Sequence, residues 1–256
     1  MTEPSKEKIV TAALVIIGDE ILSGRTEDAN LPTIARWLNE RGVRLSEARV
    51  VPDKREVIVA AVNETRHNHD YVFTTGGIGP THDDITAESI AAAFGLPLKL
   101  HDEAYRRLEA HYKPGDFTEA RQRMARVPEG GTLIDNPVSI APGFRVENVF
   151  VLAGVPEIVS IMLDSIAHDV AGGRPMLSKS LAVALPESAF AGDLERIQAE
   201  SPDVQIGSYP FFRGGRAGLH VVMRSTERDR LETVAEAVAA AARAHGVEPI
   251  PDPGES

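Results

Sequence analysis

Gly76, Gly77 and Gly79 stand together between an apolar run at residues 71–74 and a stretch that suits the start of a helix. Lacking Cβ atoms, such a loop turns tightly and lets the backbone close on an anion, which the unpaired amides of the next helix start also favour. A phosphate cradle is the chemistry this pattern supports, with Thr75, Gly76, Gly77, Gly79 and Thr81 as its candidate residues. The loop is no Walker loop, because no Gly-Lys-Ser/Thr closes it. It is no dinucleotide fingerprint either, because Pro80, Thr81 and His82 follow Gly79 in place of the third glycine. A glycine-rich turn with Asp84 or Thr86 as helix cap accounts for the same residues, and both readings stay open.

Gly18, Asp19 and Glu20 follow the first strand as the glycine loop follows the third, so in a parallel sheet both lie at the ligand-binding carboxyl edge. Two acidic pairs, Asp19/Glu20 and Asp83/Asp84, then face one cleft. Carboxylates beside a phosphate repel it unless a divalent cation lies between them, which makes Mg²⁺ or a similar ion the expected cofactor. Asp84 and Asp19 are the catalytic candidates, and Asp84, Asp83 and Glu20 the metal ligands. Capping or solvent exposure explains Glu20 and Asp83 equally well. His82 lies inside the cradle with no identified partner. His67 and His69 read as a solvated helix end, and Trp37 as core.

These residues need a scaffold. The continuous apolar run at 11–17 suits a strand covered on both faces. A helix at 30–41 stops at Gly42, and a strand at 43–51 follows. Pro52 and Asp53 offer a break and a cap before a helix at 54–65. The third strand at 71–74 leads through the loop into a helix carrying Ile90, Ala91 and Phe94 and ended by Gly95. This alternation predicts an α/β fold, an open and mostly parallel sheet with helices on both sides.

Two polar, solvent-facing helices at 102–112 and 118–125 come next, then strands at 132–134, 144–146 and 149–152 and a helix at 156–167. Residues 171–175, with two glycines and a proline, form the best linker. Beyond it a smaller α+β unit is predicted, with strands at 178–185, 204–208 and 219–225 and helices at 189–200 and 227–244. The tail from Glu248 is expected to fray. The domains are thus 9–170 and 177–247.

The 256 residues carry 27 Lys plus Arg against 38 Asp plus Glu, a net charge of −11, which argues against broad nucleic-acid or anionic-membrane binding. With 43% apolar and 25% charged residues the chain has material for a core. The absence of cysteine excludes disulfides, thiolate metal sites and thiol catalysis. Lys6 and Lys8 before the apolar run resemble a short signal peptide. Gly18-Asp19-Glu20 stands where a cleavage site is needed, and the run is half of the roughly 20 residues that span a bilayer, so a cytoplasmic protein is expected.

Residues 75–86 (TGGIGPTHDDIT), with Gly18-Asp19-Glu20-Ile21-Leu22-Ser23-Gly24 and Asp28-Ala29-Asn30, are similar to the MoaB/Mog molybdopterin-binding superfamily. Within it they resemble the N-terminal domain of CinA-like competence/damage-inducible proteins. Ile140-Ala141-Pro142-Gly143 and Leu152-Ala153-Gly154-Val155-Pro156 extend the likeness over residues 9–170. It implies a three-layer fold, a homo-oligomer and a cleft for a phosphorylated pterin, molybdopterin among them, or a nucleotide diphosphate. It adds Ser139, Pro142 and Gly143 to the ligand-facing candidates. In adenylyltransferase relatives the aspartate matching Asp84 is required and a metal assists. CinA-like and FAD-synthase-associated members are linked instead to metal-dependent cleavage of pyrophosphate bonds in compounds such as ADP-ribose or FAD. Ser139 departs from the family's usual glycine, and Ala153 from its proline.

The length leaves no room for the amidohydrolase domain of full CinA proteins, so nicotinamide mononucleotide deamidation is not expected. Ile206-Gly207-Ser208-Tyr209-Pro210 is similar to the auxiliary segment of the same relatives. Gly215-Arg216-Ala217-Gly218 matches the GxxG of RNA-binding KH modules but stands between strands in an acidic region, which favours a hairpin turn. The expected activity is metal-dependent hydrolysis of a nucleotide diphosphate compound, with adenylyl transfer to molybdopterin or non-catalytic pterin or nucleotide binding as alternatives.

Overall fold

The computed structural model describes residues 9–213 and 216–252, which leaves Lys6, Lys8 and Gly215 outside the described residues. The chain divides into two compact units at Gly173/Arg174. In the first, elements run β1 (Val10–Ile17), α1 (Asp19–Leu22), α2 (Asn30–Glu40), β2 (Val43–Val51), α3 (Arg55–Asn68), β3 (Tyr71–Thr75) and α4 (Thr86–Phe94). They continue through β4 (Leu98–Leu100), α5 (Asp102–His111), α6 (Glu119–Gln122), a 3₁₀ turn (Arg123–Ala125), β5 (Arg126–Pro128), β6 (Thr132–Ile134), β7 (Gly143–Val146), β8 (Val149–Leu152) and α7 (Pro156–Ser165).

The period-two alternation of β1 builds the layers. Ala12, Leu14 and Ile16 meet Ile34 and Leu38 of α2 and Val159 and Met162 of α7 on one face of the sheet. Ala13, Val15 and Ile17 meet Ile58 and Val62 of α3 and Ile90 of α4 on the other. Both faces are therefore buried from Ala12 to Ile17, which is why β1 is apolar over that length, and each such Leu or Ile contributes about 1.5–3 kcal/mol by leaving water. Trp37 is core, edge-on to Phe73, which stacks on Phe150 at 5.2 Å.

The six-stranded sheet has the order β2-β1-β3-β8-β7-β6, parallel from β2 to β8 and antiparallel at β8/β7 and β7/β6. This is the expected three-layer α/β architecture. The chain leaves β1 toward β2 on one side and returns to β3 on the other, so a switch point lies between β1 and β3. Ile16 pairs with Thr75, and Thr75 with Leu152. The loops beginning at Gly18, Gly76 and Ala153 consequently emerge side by side.

Residues 98–128 form an excursion that sequence reading assigned as helices alone. The antiparallel pair β4/β5 closes it at its base. Ala104, Leu108 and Ala125 give it a small core, with Tyr105, Tyr112, Phe117 and Met124 packed around. The predicted helix at 118–125 splits into α6 and the 3₁₀ turn.

The second unit holds β9 (Leu177–Val183), α8 (Glu187–Glu200), β10 (Gln205–Arg213), β11 (Arg216–Ser225), α9 (Arg228–Ala244) and β12 (Ile250–Asp252). Its antiparallel sheet, β10-β11-β9-β12, packs Val183, Val221 and Met223 against Phe190 and Leu194 of α8 and Val234 and Val238 of α9. The tail corrects the expectation of fraying from Glu248. Ile250 pairs with Ala182, so the tail completes the sheet, and Pro251 is tolerated because the strand lies at an edge. β10 and β11 pair antiparallel as far as Arg213 and Arg216, and the turn expected at Gly215 lies outside the described residues. Among the described residues no helix is long and apolar enough to cross a membrane.

Candidate functional site

The turn after β3 is built by Gly76 and Gly77, with φ of 97° and 66°. A Cβ on Gly76 would lie 2.2 Å from the Ile17 carbonyl oxygen, and one on Gly77 would lie 2.3 Å from Thr86 Oγ1. Thr86, the first residue of α4, fixes the turn: its hydroxyl donates to the Gly76 carbonyl (2.9 Å) and its amide to the Gly77 carbonyl (3.0 Å). With the carbonyls drawn toward α4, the amides of Gly77, Ile78 and Gly79 donate to no acceptor among the described residues.

Asp84 is locked beside this row. Its Oδ2 accepts from the amide (2.8 Å) and hydroxyl (2.5 Å) of Thr81, while Oδ1 accepts no hydrogen bond among the described residues. A side chain at Gly79 would strike this carboxylate, with its Cβ 2.6 Å from Oδ2. The helix-cap alternative is thereby settled in part. Ile85 occupies the cap position of α4 without a side-chain bond, and Asp84 closes the preceding turn instead.

Two concavities flank the loop and share Gly77, Ile78, Gly79, Asp84 and Met124 as their common wall. The larger, about 720 Å³, is bounded by Glu20, Asn30, Tyr112, Arg121, Ser139 and Gly154. The smaller, about 580 Å³, is bounded by Thr81, His82, Glu88, Arg123, Arg126 and Pro142. The cleft is bilobed, with the glycine loop as the ridge.

The sequence candidates separate accordingly. Gly76, Gly77, Gly79, Asp84, Glu20 and Ser139 line the larger lobe; Thr81 and Pro142 line the smaller. Thr75 ends β3 and is buried. Gly143 is packed into β7, where a Cβ would meet the Val151 carbonyl and Met162 at 2.3 Å, so its smallness serves the sheet. Asp19 and Asp83 are exposed and line neither lobe. Among the described residues no three acidic or histidine side chains cluster closely enough to cage a metal. His82 stands in solvent beside Asp83 at 3.9 Å. His69 corrects the solvated-end reading: its ring is largely buried, with Nδ1 3.0 Å from the Thr65 carbonyl and Nε2 3.7 Å from Glu47.

Asp53, read from sequence as a helix cap, has another task. Lys54 precedes α3, and Asp53 Oδ2 accepts the Asp19 amide at 2.9 Å, tying the loop after β2 to α1. Burial raises its carboxyl above the ordinary aspartate value, against the Asp19 hydrogen bond, and the charges of Asp19, Glu20 and Asp83 add to the rise. Asp53→Asn keeps an acceptor and removes the charge, so it should stabilise the protein at neutral pH by on the order of 0.5 kcal/mol. The penalty relieved is full above the folded pKa, shrinks as pH falls through it, and vanishes below the unfolded value of about 3.9. Melting curves of variant and wild type should converge on that course; a gap that widens toward acid would contradict the assignment.

Three wall residues, Asn30 of the Asp28-Ala29-Asn30 motif, Tyr112 and Arg121, are not among the site candidates named from sequence. Asn30, 5% exposed, donates from Nδ2 to the Gly154 carbonyl at 2.8 Å, and its Oδ1 is buried without a partner among the described residues. Asp28 caps α2 by accepting the Leu31 amide at 2.8 Å, which positions Asn30. Arg121 and Tyr112 come from the excursion and carried no signal beyond residue type. On the opposite rim Asn136 organises its own loop, donating to Ser139 Oγ (2.7 Å) and the Ala141 carbonyl (2.8 Å). Ser139 thus takes part in holding the rim.

Comparison with known proteins agrees with this architecture. Residues 13–177 match the family described as "probable molybdopterin binding domain", and residues 175–250 match "FAD synthase, middle domain". An Archaeoglobus fulgidus protein is 34% identical over 225 residues, covering 88% of this chain and 93% of its own length. A CinA-like protein of Citrifermentans bemidjiense is 35% identical over 229 residues, 85% of this chain, which spans only 54% of that relative. The crystal structure of CinA from Thermoplasma acidophilum, a protein described as of unknown function, aligns with a TM-score of 0.59 and 33% identity. That alignment covers 62% of this chain and 96% of the other.

Proposed function

We propose, from the premise that this chain belongs to the family of probable molybdopterin binding domains, that its cleft hydrolyses the pyrophosphate bond of a nucleotide diphosphate compound of the ADP-ribose or FAD type. The observation that carries this reading is the row of unpaired amides on a ridge between two lobes. A diphosphate seated on the ridge leaves one end of the molecule in each lobe. The second unit's match to FAD synthase, middle domain, supports a flavin dinucleotide among the compounds tested.

The amides of Gly77, Ile78 and Gly79 would bind the non-bridging oxygens and stabilise the charge that grows there in the transition state. Asp84 Oδ1 would orient a water and take its proton, since Thr81 occupies the other oxygen. Water adds to one phosphorus, the bridging oxygen leaves with the other, and two phosphomonoesters result. Glu20, Glu27, Asp28 and Asp84 are the carboxylates that line the larger lobe, of which Glu20 and Asp84 would hold an ion that arrives with the diphosphate and keeps its waters. Mg²⁺ held there would neutralise phosphate charge.

Incubation with ADP-ribose, FAD or CoA and Mg²⁺ or Mn²⁺ should release AMP-type products, and EDTA should abolish them. Ligand binding by calorimetry without turnover would replace this reading with a pterin or nucleotide binding module. The family description supports a pterin as ligand, and a second reading, adenylyl transfer to molybdopterin, would appear as consumption of ATP only when the pterin is supplied.

A further inference from the structure

We infer that the guanidinium of Arg121, seated on Tyr112, is the shelf on which a flat conjugated ring of the ligand lies in the larger lobe. The inference rests on the diphosphate reading of the ridge and adds that the end entering this lobe is aromatic.

The Arg121 guanidinium carbon lies 4.3 Å from the centre of the Tyr112 ring. One of its terminal nitrogens donates to the Asp116 carbonyl, so the planar group is held both from below and at its edge. Tyr112 in turn lies nearly parallel to Phe117, at 5.9 Å and 12°, and Tyr105 abuts Phe117 edge-on at 5.0 Å. The row is anchored on the small core of Ala104, Leu108 and Ala125. An arginine that served only as a phosphate hand would need no such backing; a fixed plane is what stacking requires.

The surroundings point the same way. Ile21, Ile78, Met124, Ala153 and Ile158 line this lobe beside Arg121, whereas Arg123 and Arg126 place their charge in the other. The carboxylates of this lobe, Glu20, Glu27, Asp28 and Asp84, disfavour further anionic groups, while its apolar side chains and one pre-aligned cation plane suit the face of a heterocycle, and about 720 Å³ is ample for one.

Calorimetric titration of the whole protein with phosphate-free rings, adenosine and riboflavin, and with ring-free inorganic pyrophosphate tests this. Arg121→Lys keeps the charge and loses the plane, so it should weaken ring binding about tenfold and leave pyrophosphate within about twofold. Tyr112→Leu should do the same and Tyr112→Phe should restore the rings, with melting curves verifying that each variant folds. Ring affinity untouched by Arg121→Lys, or no ring bound by the wild type, overturns the inference. Loss of pyrophosphate binding alone in Arg121→Lys also overturns it, by making Arg121 a phosphate contact. Pyrophosphate that fails to bind the wild type sinks the diphosphate reading instead, while the ring titrations still decide for or against the shelf.

Discussion

Asp84→Asn is expected to lower turnover of the cleaved diphosphate by about 10²–10⁴-fold with little change in melting temperature. The two predictions separate because the two oxygens have separate partners. Oδ2 accepts both Thr81 bonds, and an asparagine oxygen can take its place there. Oδ1 accepts no hydrogen bond among the described residues, and the amide nitrogen that replaces it can accept no proton. Asp84→Ala should lose the same activity and in addition release the Thr81 amide and hydroxyl, at about 1–2 kcal/mol. Steady-state kinetics beside thermal melting would check the pair. Full activity in the asparagine variant would reduce Asp84 to a turn-closing residue.

Gly76→Ala should be the most damaging single-methyl change in the glycine loop. Its φ of 97° is foreign to residues with side chains, and the added carbon would sit 2.2 Å from the Ile17 carbonyl. That oxygen is main-chain at the end of β1, so no rotamer change relieves the overlap. A loss of at least about 3 kcal/mol is expected, strain and overlap together. Gly24→Ala provides the comparison: φ is 71°, with open space around the new carbon. It should cost only about 1–2 kcal/mol. Denaturant unfolding of the two variants would measure the difference, and equal losses would mean that the contact with β1 relaxes freely.

The sheet was readable from sequence wherever burial is two-sided, since a strand such as β1 must then be apolar along its buried stretch, Ala12 to Ile17. The glycine loop was readable because close backbone approach admits only one residue type. Other elements left no such trace. β4 and β5 are three residues long, too short for a period to emerge, and their pairing is closed by a helical excursion between them. β12 contains proline and follows Gly246, a pattern that reads as a tail until an open strand edge is known to await it. Asp53 sits after Pro52 as helix caps often do, and only the path of α1 reveals that its oxygen serves Asp19. Asn30 illustrates the same limit within the site. Its partner, Gly154, is 124 positions away, and no local pattern connects them.

That long-range bond bears on how a guest would be received. Asn30 fastens Gly154, a Cβ on Gly154 would come within 3.3 Å of Gly76, and Thr86 fastens Gly76 from behind. Three stretches of chain far apart in sequence are already fastened into one rigid saddle before anything sits in it. Docking on a saddle of this kind sacrifices little chain freedom, so more of the contact energy survives as affinity. Arrival should then be governed by diffusion to the mouth of the crevice, with no slow rearrangement to wait for.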